Sequence, residues 1–292
     1  MRFHNSTADV FVPDGVGLPE ALARTTHLAI SAHQDDLEIM AYHGIAECFG
    51  QRDRWFTGVV VTNGAGSARN GIYGNYTDAD MQRVRITEQR KAAYVGEYAC
   101  QLQLGFTSAQ VKDPQQTAVV EDLEAILRAT KPDFVYLHNL ADKHDTHVAV
   151  ALRSIAALRQ TRAEVHPKKV YGCEVWRDLD WMVDEDKQVL PASARPNLAA
   201  ALVGVFDSQV SGGKRYDLAT AGRRLAHATY YASHETDQDP AINFAMDLTP
   251  LIENPELPVL EYVAAFIDRF RSDVERRVQA AQPKQASSPA RT

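Results

Sequence analysis

Two polar clusters in this chain each follow an aliphatic run: "HQDD" (33–36) comes after "HLAIS" (27–31), and "HNLADKHDTH" (138–147) continues "DFVYL" (133–137). Imidazole and carboxylate together suit zinc or a similar divalent ion such as iron(II), and a catalytic zinc typically takes three protein ligands and leaves one position for water. The first cluster offers His33 and Asp36, and the second offers His147. Asp35, adjacent to a ligand but pointing elsewhere, is then free to take a proton from the water. His144, one helical turn before His147, can sit across the metal and stabilise or protonate what develops there. A helix amino terminus disfavours a charged imidazole, which suits ligation by His147 and obliges a protonated His144 to find a carboxylate partner. Taken alone, each cluster has a plainer reading, because adjacent aspartates often cap helices and an HxxH pair is common on a first helical turn. Their conjunction favours the metal site.

Such clusters need strand ends to hold them. The β-rich runs "HLAIS" (27–31), "FTGVVVTN" (56–63), "DFVYLHN" (133–139) and "KVYGCEVW" (169–176) alternate with segments of helical periodicity at 80–99, 115–130 and 146–160. That alternation predicts an α/β fold, a Rossmann-like three-layer sandwich with a mainly parallel sheet. In such sheets ligands bind outside the carboxyl ends of the strands, where both clusters fall. The expected layout is a single domain over 1–282, with its core at about 27–186 and a helical elaboration at about 200–282, and a disordered tail at 283–292. From 187, "KQVLPASARPN" reads as a Pro-containing connection. Beyond it come a helix near 214–232, an extended piece near 242–249 and a long amphipathic helix at about 258–281.

Bulk properties narrow the partners. The 292 residues carry a net charge of −7 with lysine and arginine scattered, so nothing neutralises a run of phosphates, and nucleic acid is not an expected partner. No segment approaches the roughly 18 apolar residues of a membrane span, and a cytoplasmic enzyme or binding protein is the expectation. Cys48, Cys100 and Cys173 lie far apart without CxxC spacing, which predicts buried thiols rather than disulfides or a thiolate zinc site.

The motifs carry a resemblance. "AHQDDLE" resembles the AHPDDxE signature of the PIG-L/LmbE-like family of zinc-dependent N-acetylglucosaminyl deacetylases. "VVVTNGAG" followed by "RITEQRKAAYVG" is similar to the family's strand-and-glycine segment and its helix, with Arg85 and Glu88 at the matching places. "PDFVYLHNLADKHDTH" resembles its PD-strand and HxxDxHPDH segment, and "ATYYASHETDQ" weakly resembles its late histidine segment. Over residues 27 to 236 the resemblance implies zinc held by His33, Asp36 and His147, with Asp35 as general base. It implies His144 as the group that stabilises the oxyanion or protonates the leaving amine, and an N-acylated, sugar-like small molecule as substrate. An amidase for an acylated glycopeptide or thiol conjugate, or a binding module without chemistry, are the rival readings, and a homo-oligomer is compatible with either. Two positions depart from the pattern. Gln34 replaces a proline, which should loosen the turn without touching a metal bond. Thr146 replaces the aspartate that would orient the first histidine, a role left to Asp142 or Asp145.

Further positions stay open between site and scaffold. Arg85 either lines the pocket or pairs with Glu88 on a solvated helix face, and His234 is either a substrate-binding histidine or a helix-end cap. "NGAGSARNGIYGNY" (63–76) matches no phosphate-binding fingerprint and reads as a flexible loop flanking the site, with Tyr73 or Tyr76 as stacking or packing groups. Trp176 and Trp181 are expected in the core.

Overall fold

The computed structural model describes residues 1–283; the tail expected at 283–292 lies outside the described residues save for its first position. Eight strands form one sheet: β1 Asp9–Phe11, β2 His27–Ser31, β3 Phe56–Thr62, β4 Cys100–Phe106, β5 Phe134–His138, β6 Lys169–Cys173, β7 Lys187–Pro191 and β8 Ile242–Asp247. Their spatial order is β1-β4-β3-β2-β5-β6-β8-β7. The five central strands, β4-β3-β2-β5-β6, run parallel, whereas β1 at one edge and β8 and β7 at the other run antiparallel to their neighbours.

Both faces of the sheet are covered, and the two-residue alternation of a strand divides its side chains between them. Leu28, Ile30, Val59, Val61, Leu102, Leu104, Val135 and Leu137 join one core with the helices Ala118–Thr130 and Asp145–Thr161. Ala29, Phe56, Val60, Tyr136 and Ala245 join a second core with the helices Tyr42–Cys48 and Pro196–Gly204. The result is the three-layer α/β sandwich expected from the sequence.

The chain moves from β2 to β3 to β4 in one direction across the sheet, and to β5 and β6 in the other. The gap between the carboxyl ends of β2 and β5 is therefore the topological switch point, where the diverging connections leave a crevice. Both polar clusters sit there.

The four strand runs and the three helices named above all form, with shifted ends. Three strands escape the sequence reading. In β4, Gln101 and Gln103 interrupt the apolar pattern, because that face meets a buried polar layer rather than a greasy one. β1 is three residues long, below the length at which periodicity shows. The connection expected from 187 is instead strand β7, which pairs with β8 alone; at this edge Pro191, which has no N–H to give, ends the strand without breaking a ladder. The helix expected at 80–99 runs as Asp78–Val95. It opens on a reciprocal cap between Thr77 and Asp80 and stops at Gly96, freeing the chain for β4.

Candidate active site

At the end of β2 the backbone turns sharply. Asp35 has φ 86°, in the left-handed region that residues with a Cβ avoid, and it precedes the short helix Asp36–Met40. Such a conformation costs about 1–3 kcal/mol and persists where surrounding contacts over-determine it. Here they do. The Asp35 N–H donates to Gln89 Oε1 at 3.3 Å, and Gln89 Nε2 in turn donates to Glu38 Oε1 at 2.8 Å, which also accepts from the Tyr98 hydroxyl at 2.8 Å. Arg85 donates to the carbonyl of Gln34, and its guanidinium lies 3.5 Å from Asp35 Oδ2. The Gln34 side chain is itself buried and donates to Gln103 Oε1 at 3.1 Å, so the turn is not loosened by the missing proline; it is tied sideways to β4.

The turn aims three donors at one point. His33 Nδ1 and His147 Nε2 are 3.2 Å apart, and Asp36 Oδ2 lies 3.3 Å from the first and 3.4 Å from the second. A tetrahedral ion with ligand bonds of 2.0–2.1 Å requires donor separations of about 3.3–3.4 Å. The triangle therefore has the size of three corners of a zinc site. Its chemistry fits as well. His147 Nδ1 donates to Asp142 Oδ2 at 3.2 Å, which fixes the tautomer and turns the Nε2 lone pair into the triangle. Asp36 Oδ2 also accepts the His33 N–H at 2.7 Å. Among the described residues a second group, His138, Asp142 and His147, shares one histidine with the first. It is the outer layer of the same site: the His138 ring stacks on that of His147 at 3.9 Å, and His138 Nε2 accepts the Ala32 N–H at 2.8 Å.

Protonation follows from burial set against charge. Burial pushes the Asp35 carboxyl up to about 7 against the pull of Arg85. Asp36 is equally buried, yet His147 and the hydrogen bond from His33 hold its carboxyl well below the usual range. For His147, burial is outweighed by the charges of Asp36 and Asp142 and its pKa rises; His33 and His144, where burial wins, are held neutral more firmly than free imidazole.

His144 stands where the second cluster placed it, at the amino-terminal boundary of the helix Asp145–Thr161, with its ring 4.5 Å from that of His147 and 5.1 Å from that of His33. Among the described residues no carboxylate orients its ring. Asp142 accepts the backbone N–H of His144 at 3.1 Å and spends its other oxygen on the His147 ring and the Trp176 N–H, while His144 Nδ1 is buried without a partner. Neither Asp142 nor Asp145 takes over the missing role: Asp142 orients His147, and the His144 ring is left without a carboxylate.

These groups open onto a cavity of about 300 Å³, lined among others by His33, Asp35, Asp36, Arg85, His144 and the 63–68 segment. Arg85 faces it, with 2% of its surface exposed; Glu88 bonds Ser208, so the helix-surface pair does not form. His234 is exposed in the turn after the helix Tyr216–Tyr230 and is not among the residues that line this cavity. Tyr73 is pinned by Asp207 through a 2.6 Å bond away from this cavity. Trp176, expected in the core, lines the cavity, as do Gln209, Lys214 and Tyr216. Trp181 does pack against the core. Sequence reasoning missed Gln89, whose place one turn after Arg85 on the same helix face was the available signal.

Comparison with known proteins gives the segment that carries the site a family likeness. Residues 28–158, which contain the whole donor triangle, match the model of the family PIG-L, GlcNAc-PI de-N-acetylase, so the resemblance read from the motifs is met over the segment that matters. The structure is similar to that of N,N'-diacetylchitobiose deacetylase from Pyrococcus horikoshii in complex with its inhibitor MPG, at 14% identity and TM-score 0.62, covering 81% of this chain and 88% of that one. It is also similar to a conserved protein from Thermus thermophilus (17% identity, TM-score 0.60, 78% and 97% covered). A third likeness is to the 4-carboxy-2-hydroxymuconate hydratase of Pseudomonas putida (16%, 0.59, 77% and 95%). At these identities the likeness concerns the fold. No curated protein sequence matches the chain. Among the described residues no helix is long and apolar enough to cross a membrane.

Proposed function

We propose that this protein is a metal-dependent hydrolase that removes an acyl group, acetyl in the first instance, from the amide nitrogen of an N-acylated amino sugar or its conjugate. The observation that carries the reading is the donor triangle of His33, Asp36 and His147, with edges of 3.2–3.4 Å, set beside a carboxylate that is not part of it. The PIG-L match over 28–158 and the deacetylase among the structures of similar fold support it.

In this reading His33, Asp36 and His147 hold zinc or another divalent ion, which when bound polarises the amide carbonyl and makes water a better nucleophile. Asp35, buried at the cavity wall, takes the proton of the attacking water. Water oxygen joins the carbonyl carbon, the C–N bond breaks, and the proton held at Asp35 passes to the departing nitrogen, giving a carboxylic acid and an amine. His144, kept neutral by burial, donates a ring N–H to the oxygen on which negative charge develops. Arg85 holds Asp35 and the Gln34 carbonyl, so the base keeps its place as its charge changes.

Since a hydratase shares the fold, the reaction type must be tested directly. Metal per chain and release of amine and acetate from N-acetylglucosamine and its conjugates are measured for the wild type, Asp35→Ala, Asp36→Ala and His147→Ala. About one ion per chain, kept in Asp35→Ala with loss of turnover and lost in the other two variants, is the expected pattern. No metal in any form after zinc is offered, or metal-free Asp35→Ala protein of normal fold, defeats the assignment.

A further inference from the structure

The rim of the cavity holds positive charge that amide hydrolysis itself does not use. Lys214 lines the cavity and is half-buried, with its Nζ 5.0 Å from the centre of the Trp176 ring; the Nζ of Lys143 lies 5.8 Å from the same centre. Neither has a carboxylate within 4.0 Å: among the described residues the lysines that form ion pairs are Lys168, Lys169 and Lys187. The cavity's own acids are engaged elsewhere, Asp36 in the donor triangle and Asp35 against Arg85. In a chain of net charge −7, two ammonium groups without an ion-pair partner near one aromatic ring, Lys214 on the cavity wall and Lys143 exposed beside Trp176, stand against the prevailing sign.

Trp176 is also held in register with the chemistry. Its backbone N–H donates at 3.2 Å to Asp142 Oδ2, the oxygen that orients His147, and its ring centre lies 6.2 Å from that of His144. Arg223 clamps the same segment through the carbonyl of Val175 at 2.6 Å. A ring-sized ligand that touches Trp176 is therefore within reach of the His144 ring and of both ammonium groups, whose distances from the Trp176 ring centre are 6.2, 5.8 and 5.0 Å. At about 300 Å³ the cavity is at the small end of ligand pockets, roughly 300–1,000 Å³, so it fits a single ring better than a glycolipid or glycopeptide.

Resting on the hydrolase reading above, we propose that the substrate is a monosaccharide-sized N-acyl compound with an anionic group, phosphate or carboxylate, that Lys143 and Lys214 receive beside Trp176. A neutral amino sugar would leave both ammonium groups unanswered.

The test uses zinc-loaded, full-length protein and three probes: N-acetylglucosamine, N-acetylglucosamine 6-phosphate and N-acetylmuramic acid. Binding is read by quenching of tryptophan fluorescence, with Trp176→Phe to assign the signal, and amine release is scored in parallel. At least one anionic sugar should bind about 10-fold or more tighter than the neutral one, as charge-assisted hydrogen bonds allow. The preference should vanish in the Lys143→Gln/Lys214→Gln variant and fade at ~0.5 M salt. It should persist in Lys131→Gln, a control of the same kind placed before β5 at the opposite edge of the strands. Whether phosphate, carboxylate or both are favoured identifies the anion. Equal binding of charged and neutral sugars, or a preference that survives loss of both lysines, overturns the anionic subsite. A lysine-dependent preference without amine release from any probe keeps the subsite and defeats the hydrolase reading instead.

Discussion

Replacing Asp142 by asparagine tests the link between the outer and inner layers of the site. The carboxylate serves three donors: the His147 ring at 3.2 Å, the Trp176 N–H at 3.2 Å and the His144 N–H at 3.1 Å. Asparagine has one acceptor oxygen. Its amide nitrogen must face a donor, so at least one of the three bonds is lost and the charge that polarises His147 goes with it. Removing the outer partner of a ligating histidine typically costs 10–100-fold in metal affinity, which is about 1.4–2.8 kcal/mol. Loss of a buried hydrogen bond to a charged group costs the fold about 1.5–3 kcal/mol. We therefore expect Asp142→Asn to fold and to bind zinc about 10–100-fold more weakly, by competition against a chromophoric chelator, with circular dichroism confirming the fold. His147→Ala is the reference for outright loss of the site. Wild-type zinc affinity in Asp142→Asn alongside loss in His147→Ala would show that the carboxylate does not support the ligand. Unchanged affinity in both variants would refute the triangle itself.

Gln89→Ala leaves the Asp35 N–H without its partner, and we expect kcat to fall by about 10- to 100-fold with KM little changed, since the displaced group is the base and not the binding surface; an unchanged kcat would show that the strained turn holds without the glutamine. The first strand region should respond to pH through His4, whose pKa is raised chiefly by its hydrogen bond to Asp122. A raised folded-state pKa means the contact contributes fully below pH about 6.5 and is lost as pH climbs through the folded value. Hydrogen exchange of residues 1–11, corrected for intrinsic rates, should thus be slower at pH 6 than at pH 8.5, and His4→Gln should remove the difference; equal protection at both values contradicts the anchor. Burial pushes the Cys48 and Cys100 thiols up to about 12 and Cys173 higher still, so none of the three should react with a thiol reagent at pH 8 until denaturant is added. Prompt labelling of the native protein would count against the packing around them.

What the sequence determined by itself was local. Short aliphatic runs ending in His33-Gln34-Asp35-Asp36 and in His138 through His147 placed donor groups at strand ends, because strand periodicity and its abrupt end are properties of a few consecutive residues. The same holds for the long helices, whose caps and periods lie within one stretch of chain. Only the tertiary structure decided which of the polar residues meet. Asp142 rather than Asp145 bonds the His147 ring, from a turn that Asn139 closes after β5, and no spacing rule foretells that. Gln34, Gln89, Gln101 and Gln103 come from three separate segments and form a buried polar layer under the turn, which none of those segments shows by itself. Arg85 left its i,i+3 neighbour for the Asp35 turn, and Glu88 went to Ser208, 120 residues away. Trp176 and Lys214 reached the cavity from regions whose composition resembles ordinary core and surface. Periodicity reports a residue's environment on its own element, whereas a site is made where elements cross, and the crossing is set by the packing of the whole sheet.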